Sequence, residues 1–540
     1  MKAFVASTLR NLDFVQFSKQ RMIWLGLVMV VLAAHLGGAL RDIRATAGYP
    51  QHSDQQHLVG QATRILRTGS LNPEFFKYPS VPIYLTTIGE IYGFMNAQKV
   101  EGRTKALRIE QLGSMHQPYI EHPEVVQGAR VLFAILSTIA MGMIGWFARA
   151  LYGNFMLWAA PLILAFSQGY YLYSWRYLNV DIIVAFGAAM SMCAMFCNRN
   201  SDRFLDRVFL PAICVGFSIG CKYTMGVLIL PLLLCQWLFP GPRPLLRSLA
   251  ACLIAMATFV VCVPFSILDM PLFVNDVGYE VWHYAIKGHK GFDAQPGVDQ
   301  LVLFTKYFAH QFSWVGLFLA VVGVFTGLRR APRRTVICLS FVIGLAMLFI
   351  CQKVHFNRNV VCLLGFLAMW MALGMSTVFS AASNYWKRSS WFQKLNPRIR
   401  IILKFGFGFL LMTSLLFGYP TSNIKNRIIG ASETRNDFIQ WARTSLSGQV
   451  IHIPKELDID VRSLKSDLRI RRFSLENRNE ARDVANNNGE YVLKTLWRDN
   501  LENVQDGICG NTIQVFKGRS IDRYLTVNPE LRILKIGPCS

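Results

Sequence analysis

MIWLGLVMVVLAAHLGGAL (22–40) contains no Asp, Glu, Lys or Arg. As a helix, an apolar run of this length crosses the hydrocarbon core of a bilayer, which is roughly 30 Å thick. Lys2, Arg10, Lys19 and Arg21 precede it. The basic leader is long, the run exceeds the h-region of a signal peptide, and no A-x-A-like site closes it. It therefore reads as a retained anchor whose leading end faces the cytoplasm.

Runs of the same kind recur at 130–150, 154–173, 180–197, 207–221, 224–239, 247–266, 311–328, 335–351, 360–379 and 401–418. With the first, they predict about eleven spans. The segment 80–96 is apolar but short, carries Glu90 and opens with Pro79 and Pro82, so it is expected to lie in the interface rather than cross. Composition agrees: the 540 residues are 53% hydrophobic and only 16% charged, against about 25% charged in a soluble protein. The class is an all-α polytopic membrane protein.

A net charge of +24 could indicate nucleic acid, but its placement argues otherwise. The basic clusters Arg199, Arg203 and Arg207, GPRPLLR (241–247), RRAPRR (329–334) and WKRSSWFQKLNPRIR (386–400) all fall between spans on one side. This is the positive-inside pattern. With eleven spans and a cytoplasmic N-terminus, every cluster is cytoplasmic and the C-terminus lies outside. An even count would break that agreement. No nucleic-acid partner is expected, and the surrounding partner is membrane lipid. No internal repeat is visible.

The outer side then receives 41–129, the tip at 174–180, the loop 267–310, the tip QKVHFNRN (352–359) and the tail from 419. In the tail, TRNDFIQWARTSL (434–446) has helical spacing, while QVIHIP, LRIRRFSL and NTIQVFKG read as short strands. The expected division is a membrane-embedded domain at 1–418, with its catalytic first loop at 41–129, and a small outer α/β domain at 419–540. Ten of the twelve cysteines lie in or against apolar spans; the other two, Cys509 and Cys539, lie in the tail and are expected to form a disulfide in an oxidising compartment.

The first outer loop holds the chemistry. In DQQHLVGQATRILRTG (54–69), Leu58, Ala62, Ile65 and Leu66 recur at helical spacing, Asp54 begins the helix and Gly69 ends it. Asp54 could simply be an N-cap. The rigid aromatic stretch NPEFFKYPSVPIYL that follows favours a functional role. Asp181 opens a span in SWRYLNVDIIVAF (174–186), close to Arg176. Cations expected on the same side are Lys77, Arg130, Lys222, Lys353 and Arg358, with His355 beside the last. Each could instead snorkel to a lipid headgroup. His52, Asp54 and His57 are the candidate ligands for a divalent metal ion, although the histidines lack the i, i+4 spacing of a helical zinc pair and no cysteine joins them.

Four stretches, SDQQHLVGQATRILRTGSLNPEFFKYPSVPIYL (53–85), SWRYLNVDIIVAF, GCKYTMGVLILP (220–231) and FNRNVVCLLGFLAMWMALG (356–374), together resemble glycosyltransferase family 39. That family groups the protein O-mannosyltransferases with the more distant lipid A aminoarabinose transferase, within the membrane-embedded C-type glycosyltransferases. The resemblance covers roughly 20–380. It implies the C-type fold and an inverting transfer of a sugar from a polyprenyl-phosphate donor to a hydroxyl of a protein, lipid or glycan acceptor, outside a bacterial inner membrane. It makes Asp54 the general base with Asp181 as second candidate. Lys77, Arg130, Lys222 and Arg358 become phosphate ligands, and His57, Tyr78, Tyr84, Arg176 and His355 line the donor and acceptor. The family usually carries Asp-Glu where this chain has Asp54-Gln55, which puts any role of the second acid in doubt. Some members of the superfamily use a divalent metal and others do not. Two other readings compete: a transporter or flippase of a lipid-linked sugar or polar solute, and an assembly factor. Against the transporter, the charges gather in outer loops and not at the bilayer midplane.

Overall fold

A computed structural model of the chain describes residues 19–46, 53–99, 107–112, 122–197, 203–239, 241–289 and 292–416, and in the tail 434–455, 457, 459, 461–464, 466–474, 477–495, 508–516, 520–522, 525–526 and 530–538. The helices, in chain order, are α1 (Lys19–Ala45), α2 (Ser53–Thr68), α3 (Ser80–Ala97), α4 (Pro123–Tyr152), α5 (Met156–Ala165), α6 (Val180–Cys197), α7 (Leu210–Cys221) and α8 (Ile229–Leu238). They continue as α9 (Pro244–Cys262), α10 (Met270–Trp282), α11 (Val298–Arg330), α12 (Pro332–Ile350), α13 (Val361–Arg388) and α14 (Pro397–Leu416). Proline stands in the first turn of α4, α7, α9, α10 and α12, where its missing N–H has no intrahelical partner to lose.

Seven helices among the described residues are long and apolar enough to cross a membrane: Met22–Arg44, Pro123–Tyr152, Val180–Cys197, Pro244–Cys262, Val298–Arg330, Pro332–Ile350 and Asn357–Arg388. The chain is an integral membrane protein. The expected runs 154–173 and 224–239 take a shorter form. The first is the ten-residue α5, a helical turn at Gln168–Tyr171 and a π-turn at Leu172–Arg176; the second is a 3₁₀ turn at Tyr223–Leu228 leading into α8. In α11 the backbone breaks at Ser313, with φ 64° and ψ 162°. The break separates the first half of the helix from most of the segment expected to cross.

The core is one hydrophobic cluster built mainly from α4, α5, α6, α11, α12 and α13. Of the most apolar 18-residue stretch, 83% is buried in 357–388 and 72% in 180–197 but only 17% in 22–44 and 244–262, so the first pair is central and the second peripheral. α3 lies against α4 through glycines. A Cβ on Gly128 would fall on the carbonyl of Gly89 and the backbone of Gly93; only hydrogens there let the two backbones meet. The first loop is thereby mounted on a central helix.

The tail carries α15 (Thr434–Ser445) and α16 (Arg478–Ala485) with a five-stranded sheet of order β2-β1-β3-β7-β4. Its strands are β1 (Val450–Pro454), β2 (Arg469–Phe473), β3 (Tyr491–Thr495), β4 (Gly510–Phe516) and β7 (Leu531–Ile536), while β5 (Ser520–Asp522) and β6 (Leu525–Thr526) pair separately. β1 runs parallel to β2 and β3, and β7 runs antiparallel to β3 and β4. Alternation along β3 and β7 divides the interior. Leu493 and Ile533 pack with Phe438, Ile439 and Ala442 of α15, whereas Val492 and Leu534 pack with Val484 of α16. Cys509 is disulfide-bonded; its expected partner, Cys539, lies outside the described residues.

Candidate active site

The site assembles from four separated segments. α2 begins at Ser53 and presents Asp54 in its first turn. α6 presents Asp181 in its first turn. α7 stops at Lys222, whose extended backbone (φ −161°) turns the chain into the 3₁₀ turn. The tip after α12 enters α13 through a second 3₁₀ turn holding Arg358 and Asn359.

These groups form one ionic chain. Arg358 Nη2 lies 3.0 Å from Asp54 Oδ2, and its Nε lies 3.7 Å from Asp181 Oδ2. Lys222 Nζ donates to Asp181 Oδ1 at 2.6 Å and to Asn359 Oδ1 at 2.8 Å. Asp54 and Arg358 keep 16% and 14% of their side-chain surface exposed, whereas Asp181 keeps 2%. Asp54 and Arg358 therefore form the accessible end and Asp181 the buried anchor. Asp181 does more than start its helix, since its carboxylate meets Lys222 and Arg358. The buried Oδ2 of Asp181 and Nδ2 of Asn359 have no hydrogen-bond partner among the described residues. Polar atoms left so are costly and mark room for a further polar group.

Arg130 and Arg176 belong to a neighbouring buried network. Arg130 is 1% exposed and donates from Nη1 to Thr46 O at 3.0 Å and from Nη2 to Gln55 Oε1 at 3.2 Å. Gln55 Nε2 donates to Arg176 O at 2.6 Å. Arg176 pairs with Asp42 at 3.6 Å, and Trp175 Nε1 donates to Asp42 at 3.0 Å. Gln55 needs an amide here. Its oxygen faces a cation and its nitrogen faces a carbonyl, so a carboxylate would set oxygen against oxygen. This gives a physical reason for the departure from Asp-Glu.

The loop after α2 is rigid. Gly69 closes the helix at φ +71°. Arg64 donates to Asn72 O at 2.9 Å and ion-pairs with Glu74. From the stretch 267–310, Asp269 accepts from Asn72 Nδ2 at 2.9 Å and Asp276 accepts from Phe76 N at 2.8 Å. Lys77 Nζ lies 4.4 Å from the ring centroid of Tyr279. α10 is thus pinned along the Asn72–Tyr78 stretch at three points.

His57 is exposed and stacks on Phe75, with centroids 5.7 Å apart, and Phe75 meets Tyr78 edge-on. Tyr78 faces Asp54, Arg358, Tyr284 and Glu280; burial first, then the charge of Asp54, pushes its phenol well above the usual range. Tyr84 donates to Leu71 O at 3.1 Å, bracing the loop. His355 is engaged on both nitrogens, by Gln300 at 2.7 Å and Asn357 at 3.1 Å. Of the expected residues, then, Asp54, Asp181, Lys222 and Arg358 meet directly, Lys77 and Tyr78 lie on the adjoining loop, and Arg130, Arg176 and His355 hold the surrounding frame.

Glu280 escapes the sequence reading. It stands one turn beyond Asp276 on α10 and is half-buried. Burial pushes its carboxyl up to about 7; Lys77 and Lys222 oppose the shift, and Asp276 and Asp54 add to it. The i, i+4 spacing of Asp276 and Glu280 in an otherwise apolar helix is the available signal. Asp42 and Asn359 are likewise unanticipated.

The residues present do not form a metal site: among the described residues no three His, Cys, Asp or Glu groups cluster. Asp54 faces Arg358, His57 stacks on Phe75, and His52 lies outside the described residues.

The chain is similar in fold to several solved structures. One is ArnT from Cupriavidus metallidurans bound to undecaprenyl phosphate, at 11% identity over 96% of this chain and 99% of that one, with a TM-score of 0.49. Another is the archaeal oligosaccharyltransferase AglB from Archaeoglobus fulgidus in complex with an inhibitory peptide and a dolichol-phosphate, at 11% identity over 88% of this chain and 70% of that one, with a TM-score of 0.48. The A. fulgidus oligosaccharyltransferase in complex with Zn and sulfate is similar at 10% identity over 91% of this chain and 72% of that one, with a TM-score of 0.46. No protein-family model matches the chain, and no curated protein matches it.

Proposed function

We propose that the protein is an inverting glycosyltransferase that moves a sugar from a polyprenyl-phosphate donor to an acceptor hydroxyl at the outer face of the membrane. The observation that carries this reading is the ionic chain of Asp54, Arg358, Asp181 and Lys222, drawn from four segments to the end of the spans. It combines an accessible carboxylate with fixed cations, which a displacement with a phosphate leaving group requires.

In this reaction the acceptor oxygen attacks the anomeric carbon. The bond from that carbon to the phosphate oxygen breaks, and its electron pair leaves with the lipid phosphate. Asp54 takes the hydroxyl proton as general base, and Asp181 is the second candidate. Arg358, Lys222 and Lys77 meet the charge on the phosphate, Arg358 with a fork suited to two oxygens. Before the donor arrives, the carboxylates hold the cations in place. Arg130 supports Asp54 through Gln55. His57 and Tyr78 border the acceptor and sugar path, with Tyr84, Arg176 and His355 framing it. The acceptor is a protein, lipid or glycan.

The accompanying topology has eleven crossings, a cytoplasmic N-terminus, and a membrane domain at 1–418 followed by an outer α/β domain at 419–540, in a bacterial inner membrane. One-sided basic clusters support it.

The test is a proteoliposome assay with radiolabelled undecaprenyl-phosphate hexoses and pentoses, and host membrane extract as acceptor. Label entering an acceptor supports the transferase. Transbilayer movement of the donor without transfer overturns it in favour of a flippase.

A further inference from the structure

Arg358 is held from two sides. Its nitrogens face the carboxylates of Asp54 and Asp181 at 3.0 and 3.7 Å. Its guanidinium carbon lies over the ring of Phe356, 4.0 Å from the centroid. The attraction of a cation to the face of a ring uses no hydrogen-bond donor, so the N–H groups stay available for carboxylate and phosphate oxygens.

Phe356 is itself fixed. It is buried and packs against Tyr284, His289 and Phe292, at centroid separations of 6.2, 5.2 and 5.3 Å. The backbone leading to it is tied to residues of 284–300. Lys353 N donates to Tyr284 O at 3.0 Å, Ala294 N to Lys353 O at 2.9 Å and His355 N to Phe292 O at 2.7 Å. One side chain gathers the groups that remain. Gln300, near the start of α11, is fully buried. Its Nε2 donates to Gln352 O at 2.9 Å and to Lys353 O at 3.2 Å. That leaves its Oε1 for His355 Nδ1, at 2.7 Å. His355 Nε2 in turn meets Asn357 Oδ1 at 3.1 Å, beside Arg358. A single amide thus clamps the tip on which the ring stands.

An arginine loses much rotamer freedom when it is fixed, so its aim needs more than one contact. In the transfer, Asp54 takes a proton and its pull on Arg358 weakens. The ring does not titrate, and its hold persists through that step.

We propose that Phe356 is a positioning residue of the donor-phosphate site: its ring, set by the Gln300 clamp, aims the Arg358 fork at the lipid phosphate and keeps it there while Asp54 is protonated. This rests on the transfer reaction proposed above.

The experiment measures equilibrium binding of undecaprenyl phosphate and of undecaprenol, the same chain without the phosphate, to the full-length protein in detergent. It compares the wild-type protein, Phe356→Leu, Phe356→Tyr and Gln300→Leu, and repeats Phe356→Leu on an Arg358→Gln background. Phe356→Leu should weaken undecaprenyl phosphate binding by roughly 5–30-fold, the size of a cation–ring contact shielded from water, and leave undecaprenol binding unchanged. Phe356→Tyr keeps a ring and should bind as the wild-type protein does. Gln300→Leu should lose phosphate binding selectively as well, and it carries the test alone if Phe356→Leu does not fold. Without Arg358, removing the ring should change binding by less than about twofold, because the two residues act as one. Unchanged binding in the variants, equal loss for both lipids, or equal loss with and without Arg358 overturns the positioning role alone. A wild-type protein that binds undecaprenyl phosphate no more tightly than undecaprenol overturns the phosphate site and the transfer reading with it.

Discussion

Asp54→Asn separates catalysis from architecture at one oxygen. Asparagine keeps the side-chain shape and an oxygen that accepts from Arg358, but it cannot take a proton. The structural cost is small. Arg358 retains Asp181 at 3.7 Å, and its bond to residue 54 changes from charge-assisted to ion–dipole. The difference between such bonds is about 1–1.5 kcal/mol. The catalytic cost is larger: removing a positioned base slows transfer by about 10²–10⁴, which is roughly 2.7–5.5 kcal/mol of barrier. If Asp54 only favours the first turn of α2, in which it lies, Asn loses just the charge–dipole interaction, about 0.3–1 kcal/mol. Single-turnover transfer and thermal unfolding, measured on matched detergent-solubilised preparations, read the two costs separately. Near-normal turnover in a folded Asp54→Asn protein would refute Asp54 as base and move the role to Asp181.

Arg358→Lys keeps the charge but loses the fork, and should weaken undecaprenyl-phosphate binding by about 10–100-fold, as expected for one lost charge-assisted bond; equilibrium binding of the lipid measures it. Gly128→Ala places a Cβ on backbone atoms of Gly89 and Gly93, so α3 and α4 must part at a cost of about 1–3 kcal/mol, read as a lowered thermal midpoint in detergent. Glu280 also links stability to pH. Its folded-state carboxyl is raised to about 7 from an ordinary 4.5, so its contribution is fully present below the unfolded value and is lost as pH rises through the folded one. Relative to the wild-type protein, Glu280→Gln should therefore gain stability between pH 5 and 8; thermal scans across that range test it.

Much of the frame is legible in the sequence because bilayers demand long apolar runs and topology demands one-sided basic loops. The tail shows three of its strands for a similar reason: VIHIP, RIRRF and NTIQVF carry β-branched residues between polar neighbours. YVLKT and LRILKI, which sit at the middle of the sheet, carry both faces of the core and give no clean alternation. Asp54 is readable at the start of an amphipathic helix in the first loop, and Asp181, Lys222 and Arg358 as charges at the ends of apolar runs. Their pairing is not, because it depends on how four helices pack. Glu280 is hidden because 267–310 reads only as a loop, and the clamp onto Phe76 reveals which way the helix within it turns Asp276. The ten-residue helix within 154–173 stops just before Ser167, Gln168 and Gly169, which interrupt the apolar run ahead of the π-turn at Leu172–Arg176.

The fastening of the first loop by α10 also bears on how the protein is made. Asn72 and Asp269 are 197 positions apart, and Phe76 and Asp276 are 200 apart. Arg358 is synthesised later still. A nascent chain therefore exposes its first loop, acids and all, long before the helix that steadies it has emerged or the arginine that neutralises Asp54 exists. Insertion of the intervening spans sets the clock for the site. A ribosome-bound chain halted before residue 269 would be threaded into the membrane and yet chemically silent, so activity reports on completed assembly rather than on the arrival of the residues that perform it.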